Sequence, residues 1–386
     1  MRRSLILTIT TLAVLAAVAP APAAASAATT NENGFATAAQ ADADCEYPIE
    51  LTDATGERVP IEERPESVVA LQPSNAQTVF AIGAEDRLDG APHNPATADL
   101  DLGDRADVSD EYDVVAERVI DLEPDVVLAA NVTPEDDVET LREAGLTVYH
   151  FRAAESLDDV REDVLVTGRL TGTCDGAAET VDWMDRRLAV VETAVEGEER
   201  PLAYYEMGEG YTAGEGTFQH EVLTTAGLEN LAVEADIRGW GQLNEETIVD
   251  ANPEWIVYPD RTDEPVVAEG VRATTAFQEG NAVAVDDNNM SQPTPNVVYA
   301  LEEIVAAVHP EAYAEAEAEL EAQAGSDVEN GSTDESDGES DDATAGGDDG
   351  ETGTEAASED DTLPGFGAPV AVAALLAVLG ALARRR

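Results

Sequence analysis

Apolar residues in the middle of the chain fall into two kinds of pattern. The first is short unbroken runs: Ser67-Val68-Val69-Ala70-Leu71, Asp125-Val126-Val127-Leu128-Ala129 and Leu146-Thr147-Val148-Tyr149. Runs of that length bounded by turn residues read as buried strands. Between them lie helical stretches, one from Pro73-Ser74 through Ala84 and one opening at Thr133-Pro134-Glu135-Asp136 and ending at Gly145. Threonine at the cap, proline in the first turn and a carboxylate three residues on is a helix start. The second pattern is a single long stripe, Val181, Met184, Leu188, Val191 and Val195, recurring at helical steps and closed by Gly197 and Pro201. The alternation then begins again with Leu202-Ala203-Tyr204-Tyr205, a helix around Val222–Ala226, Trp255-Ile256-Val257-Tyr258, Ala282-Val283-Ala284-Val285 and a helix from about Pro295. Strands alternating with helices predict parallel sheets covered by helices.

An internal repeat organises these elements. Glu117-Arg118-Val119-Ile120-Asp121-Leu122-Glu123-Pro124-Asp125-Val126-Val127-Leu128 aligns without a gap with Glu246-Thr247-Ile248-Val249-Asp250-Ala251-Asn252-Pro253-Glu254-Trp255-Ile256-Val257. Each copy reads as a short helix, a turn carrying proline before an acid, and a buried strand, and the copies flank the long helix. The expected fold is α/β: two similar lobes with central, mainly parallel sheets, joined by one long helix. An N-terminal lobe spans 45–172, the connecting helix 173–199 and a C-terminal lobe 200–320. Ligands of open α/β sheets bind at the carboxyl ends of the strands, so two such lobes facing one another form a cleft.

The ends have a different character. Met1-Arg2-Arg3, an apolar run from Leu5 to Ala19 and Ala25-Ser26-Ala27 make 1–28 a secretory signal, on a general or a twin-arginine route, followed by a flexible segment over 29–44. Residues 321–362 are almost wholly Asp, Glu, Gly, Ser, Thr and Ala, an acidic tether that cannot bury enough surface to fold. Segment 363–386 holds Pro364-Gly365-Phe366, an apolar stretch and Arg384-Arg385-Arg386. It reads as a membrane span with its basic end inside. It also resembles the PGF-CTERM sorting signal of haloarchaeal surface proteins, which implies removal of the tail and its replacement by lipid.

Charge narrows the setting. The 386 residues include 82 acids against 20 basic side chains, all of them arginine, for a net charge of -62. Repulsion on that scale is tolerable where molar salt shortens the Debye length to about 3 Å. Phosphate backbones would meet a wall of carboxylates, which excludes nucleic acid as a partner. Cys45 and Cys174 both lie in the exported portion, where an even count suggests a disulfide; two buried free thiols are the alternative.

Catalytic signals are thin, and no catalytic residue, metal site or cofactor is expected. His93, His150, His220 and His309 lack metal-ligand spacing. Gly208-x-Gly210-x-x-Ala213 follows a strand as a dinucleotide fingerprint does. Gly214 and Gly216, however, interrupt the helix that should receive the pyrophosphate, so a glycine-rich loop at a cleft edge is the better account.

Val68–Asn75, Phe80-Ala81-Ile82-Gly83-Ala84, both repeat copies, Leu223–Asn230 and Trp240-Gly241-Gln242-Leu243 together resemble the helical-backbone substrate-binding proteins of ABC importers for cobalamin, ferric siderophores and haem. The resemblance runs from about Glu57 to Pro310. It implies a monomer with no enzymatic activity that hands a small-molecule metal chelate to a permease and its ATPase. Permease-docking acids fall on Glu117 and Glu246; the plainer reading is two exposed acids at helix starts. Ligand contacts fall on Gln72, Ser74, His93, Asn94 and Trp240, and on Asn288, Asn289, Met290, Ser291 and Gln292, where the cobalamin-binding members carry a ligand loop. Their loop arginine falls on Gln292 and their aromatics on Asn289 and Met290. Trp240 matches a tryptophan that packs on the corrinoid, with a buried core tryptophan as the alternative. A polar, largely uncharged cleft with one tryptophan suits cobalamin; a ferric siderophore or haem is the other ligand the resemblance allows. An exported enzyme on the same scaffold is the rival class.

Overall fold

A computed structural model describes residues 45–331 except Tyr112. The secretory signal, the segment over 29–44, most of the acidic tether and the PGF-CTERM segment lie outside the described residues. Among the described residues no helix is long and apolar enough to cross a membrane.

The N-terminal lobe opens with an antiparallel hairpin, β1 (Ile49–Thr52) and β2 (Arg58–Ile61). Its central sheet is built from β3 (Val68–Ala70), β4 (Leu88–Ala91), β5 (Ala106–Asp107), β8 (Val126–Ala129) and β9 (Val148–His150), all parallel, in the order β5-β4-β3-β8-β9. Helix α1 (Pro73–Ala81) links β3 to β4, a small hairpin of β6 (Ser109–Asp110) and β7 (Asp113–Val114) precedes α2 (Ala116–Leu122), and α3 (Glu135–Glu143) links β8 to β9. Helix α3 starts one residue later than its sequence predicts. Pro134 occupies the cap position, and Thr133 lies outside the helix, buried, without the capping bond. Proline has no N–H to orphan and fits the extended entry to a helix, so it displaces the threonine.

Helices α4 (Leu157–Thr171) and α5 (Cys174–Val195) cross to the second lobe, and α5 carries the predicted apolar stripe, with Met184, Leu188 and Val191 buried. The C-terminal lobe contains β10 (Leu202–Tyr205), β11 (Tyr211–Ala213), α6 (Phe218–Thr225), β12 (Glu229–Asn230), α7 (Leu231–Glu234), β13 (Trp240–Gln242), α8 (Glu245–Ala251), β14 (Trp255–Pro259), α9 (Thr275–Glu279), β15 (Ala282–Val285), α10 (Asp287–Ser291) and α11 (Val297–Val308). Its sheet is again parallel, in the order β12-β10-β14-β15. Strands β3, β4, β8 and β9 thus correspond to β10, β12, β14 and β15. The sequence repeat is α2–β8 in one lobe and α8–β14 in the other. Equivalent residues end both helices in the left-handed conformation, Glu123 at φ 48° and Asn252 at φ 51°.

Each sheet is covered on both faces. The outer faces form separate cores, one around Val119, Leu141 and Val127 and one around Tyr204, Ile248 and Ile256. The inner faces share a single core that runs from Val68 and Leu128 through Met184 and Leu188 to Leu223, Val257 and Leu301. A fully buried leucine of this kind contributes roughly 1.5–3 kcal/mol. Cys45 and Cys174 form a disulfide that fastens the start of the lobe to the first residue of α5, with their Cα atoms 5.7 Å apart. The last helix, α12 (Pro310–Gly331), continues past residue 320, where the tether was expected to begin. The Ala- and Glu-rich run up to Ala324 consists of good helix formers.

Candidate functional site

In both lobes the strands' carboxyl ends point to one end of the sheet. Loops from these two ends meet, because a small recess lined by Ser74, Asn75, Asn131 and Asp163 is closed by Pro293 of the other lobe. A larger recess of 210 Å³ lies between Gln77, Asp99 and Leu100 of the N-terminal lobe and Asn288, Asn289 and Tyr299 of the C-terminal lobe. The same end carries the large apolar side chains left in water. Among the described residues these are Val132, Tyr211, Trp240, Val266 and Tyr299. Val132 follows β8, Tyr211 follows β10, Val266 follows β14 and Tyr299 lies beyond β15. Exposed apolar groups on segments that leave the strand ends, on so charged a surface, make this end the candidate binding edge.

Gln72 is the extended residue before α1, and Ser74 sits in its first turn, both half-buried. His93 is exposed on the loop after β4, and its backbone N–H donates to Asp107 (3.1 Å). Asn94 is already committed: its side-chain oxygen accepts from the Ala96 N–H (3.0 Å) and caps a short turn. Trp240 is 53% exposed, so it is not a core tryptophan. It stands on β13 opposite Ala213 of β11, and the register puts Tyr211 on the same face as a diagonal neighbour. Glycines make this ribbon possible. A Cβ on Gly210 would lie 2.5 Å from the Leu243 carbonyl oxygen, and one on Gly214 would lie 2.2 Å from that of Ile237. Within the stretch read as a glycine-rich loop, Tyr211–Ala213 form a strand, and the glycines lie in the turns that flank it. Glu206, buried at the end of β10, holds the entering turn by accepting from the Gly208 N–H (2.6 Å). Burial raises its carboxyl, offset by that bond.

Residues 288–292 are a helix end rather than an open loop. Asn288 and Asn289 line the interlobe recess, whereas Met290 is only 1% exposed and belongs to the core. Asn288 and Asn289 lie on the side of this short helix towards the recess, and the next step of the turn carries Met290 into the core. Contrary to what the resemblance implies, Met290 does not line the cleft. Ser291 is exposed and donates to the Asp287 carbonyl (2.5 Å), and Gln292 donates to Asn288 Oδ1 (3.3 Å). Three arginines lie near this edge, and each is paired: Arg152, which lines the smaller recess, with Glu162 (3.0 Å), Arg238 with Glu215 (2.8 Å) and Arg261 with Asp287 (3.3 Å).

Glu117 and Glu246 are exposed in the first turns of α2 and α8. Each helix leads by a tight turn into the start of its strand, so both acids lie at the cleft end of their lobes. Sequence reasoning missed Gln77, Tyr211, Tyr299 and Asp163. Tyr211 could have been found from its place beside the glycine run; Asp163 could not, being one acid among many on α4. Burial first, then Glu162 and Asp159, push its carboxyl up to about 7 against the opposing pull of Arg152.

Residues 68–287 match the family described as periplasmic binding protein. The chain belongs to the periplasmic binding protein family. A cobalamin-binding protein of Halobacterium salinarum is 36% identical over 285 residues, covering 69% of this chain and 75% of that one. Among solved structures, the periplasmic haem-binding protein RhuT of Roseiflexus superposes with a TM-score of 0.58 at 20% identity, covering 64% of this chain and 99% of that one. The periplasmic vitamin B12-binding protein BtuF of Vibrio cholerae does so with 0.56 at 18% identity, covering 63% and 96%. The paired parallel sheets and crossing helices of this periplasmic binding protein are thus a fold it shares with these two structures.

Proposed function

We propose that this periplasmic binding protein is exported, held at the outer face of the cell membrane by its C-terminal segment, and delivers a cobalamin-type ligand to an ABC importer. The observation that carries the reading is the edge of exposed aromatic and apolar groups, Trp240 and Tyr211 foremost, on a surface otherwise crowded with acids. A wide, flat ligand with apolar faces and a polar rim is the kind of molecule such an edge holds. Two further points support it. The relative at 36% identity is described as cobalamin-binding. Arg152, Arg238 and Arg261 are each engaged by a carboxylate, which leaves the edge poor in unpaired positive charge for an anionic iron chelate. The ligand contacts proposed are Gln72, Ser74, His93, Trp240, Asn288, Asn289 and Gln292. Glu117 and Glu246, one per lobe, are proposed to meet arginines of the permease.

The direct test is the pigment carried by protein purified at molar salt from its native membrane. Absorbance of a corrinoid is the expected outcome. The spectrum of an iron chelate or a haem instead would move the assignment to the other ligands of this class.

A further inference from the structure

The recess between the lobes contains a polar group that nothing in the fold employs. Gln77 is 7% exposed on the second turn of α1. Its Nε2 donates to the Ala96 carbonyl (3.0 Å), which fixes which way the amide faces. Its Oε1 is therefore turned away from that contact, buried and without a partner. A buried carbonyl oxygen left unpaired costs about 1–3 kcal/mol, so such a group marks where a donor from outside is received.

The rest of the recess fits that reading. Asn288, Asn289 and Asn296 add carboxamides, and Asp99 and Asp286 add carboxylates that accept but cannot donate. Leu100 and the Tyr299 ring supply apolar wall. No arginine or histidine lines it. The volume of 210 Å³ is far too small for a macrocycle but ample for one of its arms. The walls come from helices and loops that follow strands of both lobes, α1 and the Asp99–Leu100 loop on one side and α10 and α11 on the other, so the recess is a side chamber of the cleft.

Resting on the cobalamin reading, we infer that this chamber receives a neutral primary carboxamide arm of the corrinoid, whose N–H groups donate to Gln77 Oε1 and to the flanking carboxylates. A carboxylate arm would be rejected, since it brings no donor to Gln77 and places a third negative charge beside Asp99 and Asp286. The chamber would then tell an amidated corrinoid from one in which that arm is still an acid. Because its walls come from both lobes, filling it also ties the lobes together.

The test compares cobalamin with its monocarboxylates, each having one peripheral carboxamide hydrolysed, by absorbance titration of the full chain at molar salt. One monocarboxylate should bind at least about tenfold more weakly than cobalamin, as expected for a lost buried hydrogen bond plus repulsion. In Asp99→Asn that gap should narrow. In Gln77→Leu, cobalamin should weaken by about tenfold while the same monocarboxylate changes little. Equal binding of cobalamin and every monocarboxylate by the unaltered chain would overturn the inference, a result that needs no variant to fold. Cobalamin binding without such discrimination defeats only the chamber; no cobalamin binding at all defeats the proposed function with it.

Discussion

Asp163 shows what a single position contributes here. Its carboxyl is raised from an ordinary 3.8 to about 7, chiefly because burial disfavours the charged form. Between those values the folded chain keeps a proton that the unfolded chain has released. The protonated aspartic acid therefore contributes stability that is complete below the ordinary value, is lost as pH rises towards about 7, and is flat above it. Asp163→Asn should flatten the fall in stability across that window in denaturant titrations at molar salt. An unchanged slope would mean that the side chain is open to water. Nothing in the sequence separates Asp163 from the other acids of α4, because its environment is assembled from Ser74, Asn131 and Pro293, far away along the chain. Met290 failed for a related reason: alignment placed it in a ligand loop, and only the helical turn of α10 shows that it faces inward.

Among the elements, the two copies of the repeat make a matched pair of experiments. Both α2 and α8 end in a left-handed residue, but the residues differ in how well they tolerate it. Glu123 has a side chain that gains nothing from φ 48°, so Glu123→Gly should stabilise the protein by about 0.5–1 kcal/mol. Asn252 tolerates this conformation and is tied to Thr275 by two hydrogen bonds of 2.8 Å. Asn252→Gly should therefore destabilise by about 1 kcal/mol. Chemical denaturation of the two variants decides it, and a shift of the same sign in both would contradict the account. The strands, the long helix and the repeat were legible because burial on both faces of a parallel sheet writes unbroken apolar runs. The β11–β13 ribbon was not, because glycine and exposed aromatics carry no such period. Its existence depends on close backbone approaches at Gly210 and Gly214.

At the scale of the molecule, the inner core passes without a break through α5 from one lobe to the other. Such packing resists free opening of the lobes, so the proposed delivery is expected to depend on docking against a partner. Glu117 and Glu246, exposed at equivalent points of the repeat, are the proposed contacts. Salt screens exposed ion pairs, so each is worth only about 0.2–1 kcal/mol. Glu117→Ala combined with Glu246→Ala should leave ligand affinity unchanged and reduce cellular uptake more than either change alone. Normal uptake by the double variant would show them to be helix-start acids and no more.

The central claim is that the exposed edge at the strand ends holds a corrinoid, and calorimetric titration of the full chain with cobalamin at molar salt tests it most directly. The account predicts a dissociation constant of about micromolar or tighter, weakened by about tenfold or more in Trp240→Ala. The melting temperature of that variant should be unchanged, because Trp240 is 53% exposed and leaves no cavity. No heat with cobalamin alongside tight binding of a ferric hydroxamate, or full affinity in Trp240→Ala, would contradict it.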